Sequence, residues 1–257
     1  MLPQICIVLA FFRNFQLLMF KFNAPLTESA RSHLLRVYSL LTMGVLAASL
    51  GCYLDMHYMH FGGLGTALIG AFLFGVARSG KLDVETSALL FLAAAGLEGM
   101  ALSPLVHTAS VYYPQALTTA FLSAMAVFVS FSVAAMIAKR REFFYLSGIL
   151  ASVASYLALA SLGNMVVRSS FLMDVQLYGG LVMFLGYILV DTQVMIDRFE
   201  SGFNRENYVR PACDLFGDLV GVFVRLLIIL MRKSSEKRRQ SFSATSPERK
   251  YYRRQSE

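Results

Sequence analysis

The chain has 257 residues, of which 56% are hydrophobic and only 15% charged, and its net charge is +7 at pH 7. Soluble domains carry more charge, and several apolar runs here approach the ~20 residues that cross a bilayer, which excludes a water-soluble enzyme or nucleic-acid-binding domain. Alternating β-barrel segments are absent, so the class is an all-α polytopic membrane protein, and its basic residues report orientation and membrane-surface contact.

In chain order, residues 1–22 form a variable N-terminal arm. It is apolar but broken by Arg13, Asn14 and Gln16, and it lacks the basic start and small-residue cleavage site of a signal peptide. Residues 23–233 form one membrane domain, with spans predicted at about 37–54, 61–77, 87–107, 115–138, 143–162, 175–196 and 211–231. The second is rich in Gly and Ala, which permits close helix approach. Residues 234–257 are basic, polar and serine-rich, a composition too poor in apolar groups to fold alone, and are expected to be a disordered tail. Cys6, Cys52 and Cys213 are too scattered for a disulfide framework or a paired zinc site.

Lys and Arg crowd the N-terminal arm, the second-to-third loop, the Lys139-Arg140-Arg141-Glu142 turn and the sixth-to-seventh loop. The positive-inside rule therefore places the N-terminus in the cytosol. A seventh full span would put the basic tail on the far side, against that rule. The last segment is then either re-entrant, which the tail's charge favours, or a central helix enclosed by protein.

The residues with chemical potential concentrate between Leu181 and Met231. An apolar run ends in Asp191-Thr192-Gln193, a charged turn follows, and a second apolar run holds Asp214, Asp218 and Arg225. Two such runs make an antiparallel helical hairpin. Asp191 and Asp218 are nearly equidistant from the turn at Gly202–Arg205 and should lie at similar depth, while Asp214 shares a helix face with Asp218. Carboxyl groups so placed in low dielectric share a proton rather than both ionising; ionised, they offer hard oxygen ligands suited to Ca²⁺. The competing structural account has Asp214 complementing the N-terminus of the last helix and Asp218 paired with Arg225. Glu98, inside the third span, is a relay carboxylate, a partner for Arg225 or Arg78, or a neutral hydrogen-bonded acid. Cys52, Asp55, His57 and His60 cluster at the end of the first span. With no second ligand pair in view, they read as a solvated loop rather than a zinc site.

These residues resemble the Bax inhibitor-1 family. Asp191-Thr192-Gln193 is similar to its D-T-Q motif, and Cys213-Asp214-Leu215-Phe216 followed by Asp218 to its acidic-helix motif. Gly99-Met100-Ala101-Leu102-Ser103-Pro104 with Thr119-Ala120-Phe121 resembles the signature G-x-x-L-G-P…T-A-F, with Ser103 where the family commonly has Gly, and Ser161-Leu162-Gly163-Asn164 also fits. The resemblance covers about 23–233. It implies six transmembrane helices surrounding a central seventh, and an endoplasmic reticulum protein that suppresses apoptosis and leaks Ca²⁺ in a pH-dependent way. It further implies a pore latched by Asp191 and Asp218, no resident cofactor beyond calcium and protons as transported or sensed ions, and partners in the lipid bilayer and among Bcl-2-type apoptosis regulators. It assigns no role to Glu98.

Two other classes compete with a channel. A non-conducting scaffold for cell-death proteins would need neither aspartate ionised. An intramembrane aspartyl protease also sets two aspartates on adjacent helices, but Val190 precedes Asp191 in place of Tyr, Leu215 replaces the first Gly of G-x-G-D, and no Pro-Ala-Leu follows. In the tail, Arg238-Arg239-Gln240-Ser241 recurs as Arg253-Arg254-Gln255-Ser256, making Ser241 and Ser256 phosphorylation candidates if the tail is cytosolic. Phosphate there would oppose the attraction of the basic tail to anionic headgroups; a passive basic anchor is the simpler reading.

Overall fold

Backbone polar groups in a bilayer must be satisfied within the segment, so apolar runs between polar turns become helices. The computed structural model describes residues 28–138, 144–202 and 207–245. They form α1 (Glu28–Leu54), α2 (Leu64–Arg78), α3 (Val84–Tyr112), α4 (Pro114–Ile137), α5 (Phe144–Val167), α6 (Ser170–Glu200) and α7 (Val209–Thr245), with no strand among the described residues. A five-residue π-helical turn, Asp55–Met59, continues α1 and closes at His60 with φ 56°. That left-handed residue and the turn after it delay the second helix to Leu64, later than the expected start near 61. Pro114 opens α4, where its missing N–H costs no hydrogen bond. The Asn207 side chain accepts hydrogen bonds from the N–H groups of Val209 and Arg210, capping α7.

Among the described residues five helices, α1 and α3 to α6, are long and apolar enough to cross a membrane. α2 has only 15 residues, and α7 carries too much charge to face lipid. The bundle solves the second problem by enclosing α7, which packs against α1, α2, α3, α4 and α6. From Val209 to Arg232 no residue of α7 is exposed. Tyr38, Phe91, Phe128 and Phe216 fill the centre, with the rings of Phe91 and Phe216 meeting edge to face at 5.5 Å. α5 stands at the periphery, buried only at Leu150 and Leu157 against α6, and presents Tyr156, Leu159, Leu162 and Met165 outward. The tightest contact is between α1 and α3. A methyl group at Gly99 would fall inside the carbonyl of Ala48, and one at Gly51 inside the backbone of Gly96. These glycines let the two backbones touch.

The contacts at the two ends of α7 bear on the choice between a re-entrant and a spanning last segment. At one end Asp214 pairs with Arg78, the last residue of α2. At the other, Arg238 donates to the Tyr112 carbonyl and lies over the Tyr113 ring at 5.3 Å. The 24-residue step between them rises about 36 Å in a helix, so α7 runs from one end of the bundle to the other. Burial among five helices shields Arg225 and the aspartates from lipid. The helix continues to Thr245, so residues 234–245, expected within the disordered tail, are helical. Lys, Arg, Gln and Glu are good helix formers and extend a helix already nucleated. Ser241 is exposed on this extension, its hydroxyl bonded to the Lys237 and Arg238 carbonyls; Ser256, residues 1–27 and the basic turn at 139–143 lie outside the described residues. The tail leaves the bundle beside the Tyr112-Tyr113 turn, opposite the Arg78 end, so a cytosolic N-terminal face and a cytosolic tail exclude one another. Glycosylation acceptors inserted at Tyr112-Tyr113 and after Thr245 are expected to be modified together, and one inserted after Gly202 to behave oppositely. Opposite results for the first two would overturn the spanning assignment.

Candidate functional site

The end of the bundle that holds the α6–α7 turn gathers the ionisable residues. Apolar periodicity fixes α6 and α7 as neighbours, and their antiparallel pairing brings the Asp191 and Asp218 side chains into direct interaction, as the hairpin predicts. Asp218 is buried, 5% exposed, and its Oδ2 has no hydrogen-bond partner. One turn earlier Asp214 faces the same way, and its charge acts on both other aspartates. Asp214 is not the cap of α7, a role Asn207 takes; its carboxylate pairs with Arg78. Arg198, about two α6 turns beyond Asp191, acts on Asp191 and Asp214, with Arg210 beside it. Tyr187 and Cys213 complete the titratable surroundings. Three carboxyl groups thus face three guanidinium groups across α2, α6 and α7.

Beneath Asp191 the chain adds a layer of hydroxyls. Thr192 is fully buried, and it and Ser132 of α4 sit against the hydroxyl of Tyr38 from α1. Gln193 is buried as well. The polar residues following Asp191 therefore point into the bundle and fix the register of α6, so that the carboxyl is aimed at α7.

Other candidates lie elsewhere. Arg225 is two turns further along α7 and faces α6, not Asp218. Its guanidinium stacks over Phe184 at 4.4 Å, donates to the Gly221 carbonyl at 3.1 Å and leaves Nε buried without a partner. Gly180 makes room for it; a side chain there would overlap the guanidinium. Arg78 is taken by Asp214, so neither arginine pairs with Glu98, which is half-buried on α3 near Gly70 of α2. The cluster at the end of α1 divides. His57 stacks on Tyr53 at 4.4 Å, and the two residues are exposed. Cys52 faces the sulfur of Met56 at 3.8 Å. Asp55 is different: it is 2% exposed, accepts from the N–H groups of Phe61 at 2.7 Å and Gly62 at 2.8 Å, and receives the Ser103 hydroxyl. It ties the π-turn to α3. Ser103, the departure from the resembled signature, thus supplies one of the three donors to Asp55.

Calcium is the hard cation these carboxyls suit, but a resident site needs six to eight oxygens. Among the described residues no group of three or more His, Cys, Asp or Glu could hold a metal ion. Sequence reasoning missed Arg78 as the aspartates' counter-ion, because it lies 136 positions from Asp214. The only available signal was a cation closing a short apolar helix.

Comparison with known proteins adds the following. The family model described as "Inhibitor of apoptosis-promoting Bax1" matches residues 30–235. "Bax inhibitor 1" of Arabidopsis thaliana is 36% identical over 215 residues, covering 82% of this chain and 85% of that protein. Bax inhibitor 1 of Homo sapiens is 33% identical and that of Bos taurus 34% identical, each over 232 residues, 88% of this chain and 96% of the relative.

Proposed function

Since the chain belongs to the Bax inhibitor 1 family, we propose that it is an apoptosis-inhibiting membrane protein that lets Ca²⁺ leak from the endoplasmic reticulum, with Asp191 and Asp218 as its proton-sensitive latch. The observation that carries the reading is the direct contact of these two side chains, on adjacent helices at the core of a bundle whose central helix is enclosed by protein. Two touching carboxyls hold together while they share a proton. Around them, negative charge draws in Arg78 from α2 and Arg198 from α6, so the ion pair with Asp214 fastens α2 against α7. Each further proton taken up by the aspartates removes negative charge from that group and loosens α2. Flux should therefore rise as pH falls.

The test is Ca²⁺ efflux from liposomes holding only the purified protein, between pH 8 and pH 6. Wild type is expected to leak faster at pH 6, and Asp218→Asn to lose that dependence. Identical pH profiles for the two proteins would refute the latch. No efflux at any pH would favour a non-conducting scaffold that engages Bcl-2-type regulators, and cleavage of a membrane-embedded reporter peptide would favour the protease.

A further inference from the structure

Between the acidic end and the Asp55 end, α1, α3, α4 and α7 fail to close completely and leave a partly open cavity of about 150 Å³. Fifteen residues line it, and only Ser49 and Cys52 among them carry polar side chains. Both are already engaged: the Ser49 hydroxyl donates to the Val45 carbonyl at 2.8 Å, and the Cys52 thiol faces Met56. Water held there would find none of the two to four partners it needs, whereas an apolar cavity of this volume stays dry and accepts a molecule such as benzene or xenon. The walls are Phe121, Leu219, Val220 and Phe223, with Met125 beside them. They offer the polarisable, ring-edge contacts that hold a flat hydrocarbon.

We propose that this cavity is a binding site for a small uncharged apolar ligand, of the size of a single six-membered ring with at most a short alkyl group. A charged or hydrogen-bonding ligand would be left without partners. An occupant touches four helices at once, α7 included, and so opposes any separation of the central helix from α1, α3 and α4. The inference rests on the cavity alone and stands whether or not the protein conducts ions.

Xenon and toluene are the probes. Crystals of the full chain pressurised with xenon are expected to show it bounded by Phe121, Leu219 and Phe223; none at that position overturns the proposal. For toluene at ten times its Kd, the midpoint of thermal unfolding in detergent should rise by about 4 °C. Ala124→Leu and Val220→Phe, each filling the cavity from a different helix, should abolish the rise while a surface control, Tyr156→Phe, keeps it. A rise of equal size in a folded cavity-filling variant would mark toluene as acting through the detergent and overturn the site.

Discussion

Arg78→Gln is expected to raise Ca²⁺ efflux at pH 8 about five-fold, toward the wild-type rate at pH 6, with little change at pH 6 itself. Under the proposed latch the Arg78–Asp214 ion pair is what holds α2 on α7 when the aspartates are charged, so deleting the cation imitates acidification. Arg78 is half exposed, with its side chain 51% accessible, and water screens it. The pair is therefore worth about 1 kcal/mol rather than the larger value of a fully buried one, which sets the five-fold figure. Arg198 and Arg210 remain to hold part of the charge, so the bundle should stay folded. Arg78→Lys should preserve most of the closure at pH 8. Unchanged efflux at pH 8 in Arg78→Gln would show that this contact does not close the path.

The second large effect is on stability. Gly99→Val should cost about 3 kcal/mol or more and lower the unfolding midpoint by about 9 °C. Its Cβ would overlap the Ala48 carbonyl, a backbone atom that no rotamer change can move aside. Gly75→Ala is the contrasting substitution. A Cβ there meets nothing within 4 Å, and removing a glycine from a helix interior stabilises by about 0.5–1 kcal/mol. Thermal unfolding of both variants in one detergent checks the pair. A Gly99→Val protein as stable as wild type would mean that α1 and α3 do not touch as described.

The helices and the acidic hairpin were legible because both follow from local pattern. Apolar run lengths located seven helices, and the symmetry of Asp191 and Asp218 about one turn brought the two side chains together. What pattern could not supply were partners across the bundle. Asp214 was open to a capping role until Asn207 was seen to fill it, and Arg225 looked like the counter-ion of Asp218 until the α6 face, with Gly180 and Phe184, was seen to accommodate it. Asp55 read as a loop residue because its partners, the N–H groups of Phe61 and Gly62 beyond the π-turn and the Ser103 hydroxyl of a distant helix, are set by the fold. The fate of the last segment depended on how many neighbours would shield it, a property of the assembled bundle rather than of its own composition.

The brevity of α2 bears on the membrane around the protein. Fifteen helical residues span about 22 Å, several ångströms less than a typical hydrocarbon core of ~30 Å. Its neighbours α1 and α3, with 27 and 29 residues, are not short, so the hydrophobic mismatch is confined to the α2 flank. Phe72, Leu68 and Leu64 project outward there and set the width of the apolar band that the lipids must match. Such hydrophobic mismatch costs a fraction of a kcal/mol per ångström and is smaller in the ~27 Å bilayer of the endoplasmic reticulum than in a sterol-rich plasma membrane. A short helix ending in Arg78 thus favours a thinner bilayer on the flank that carries the ionisable end of the bundle.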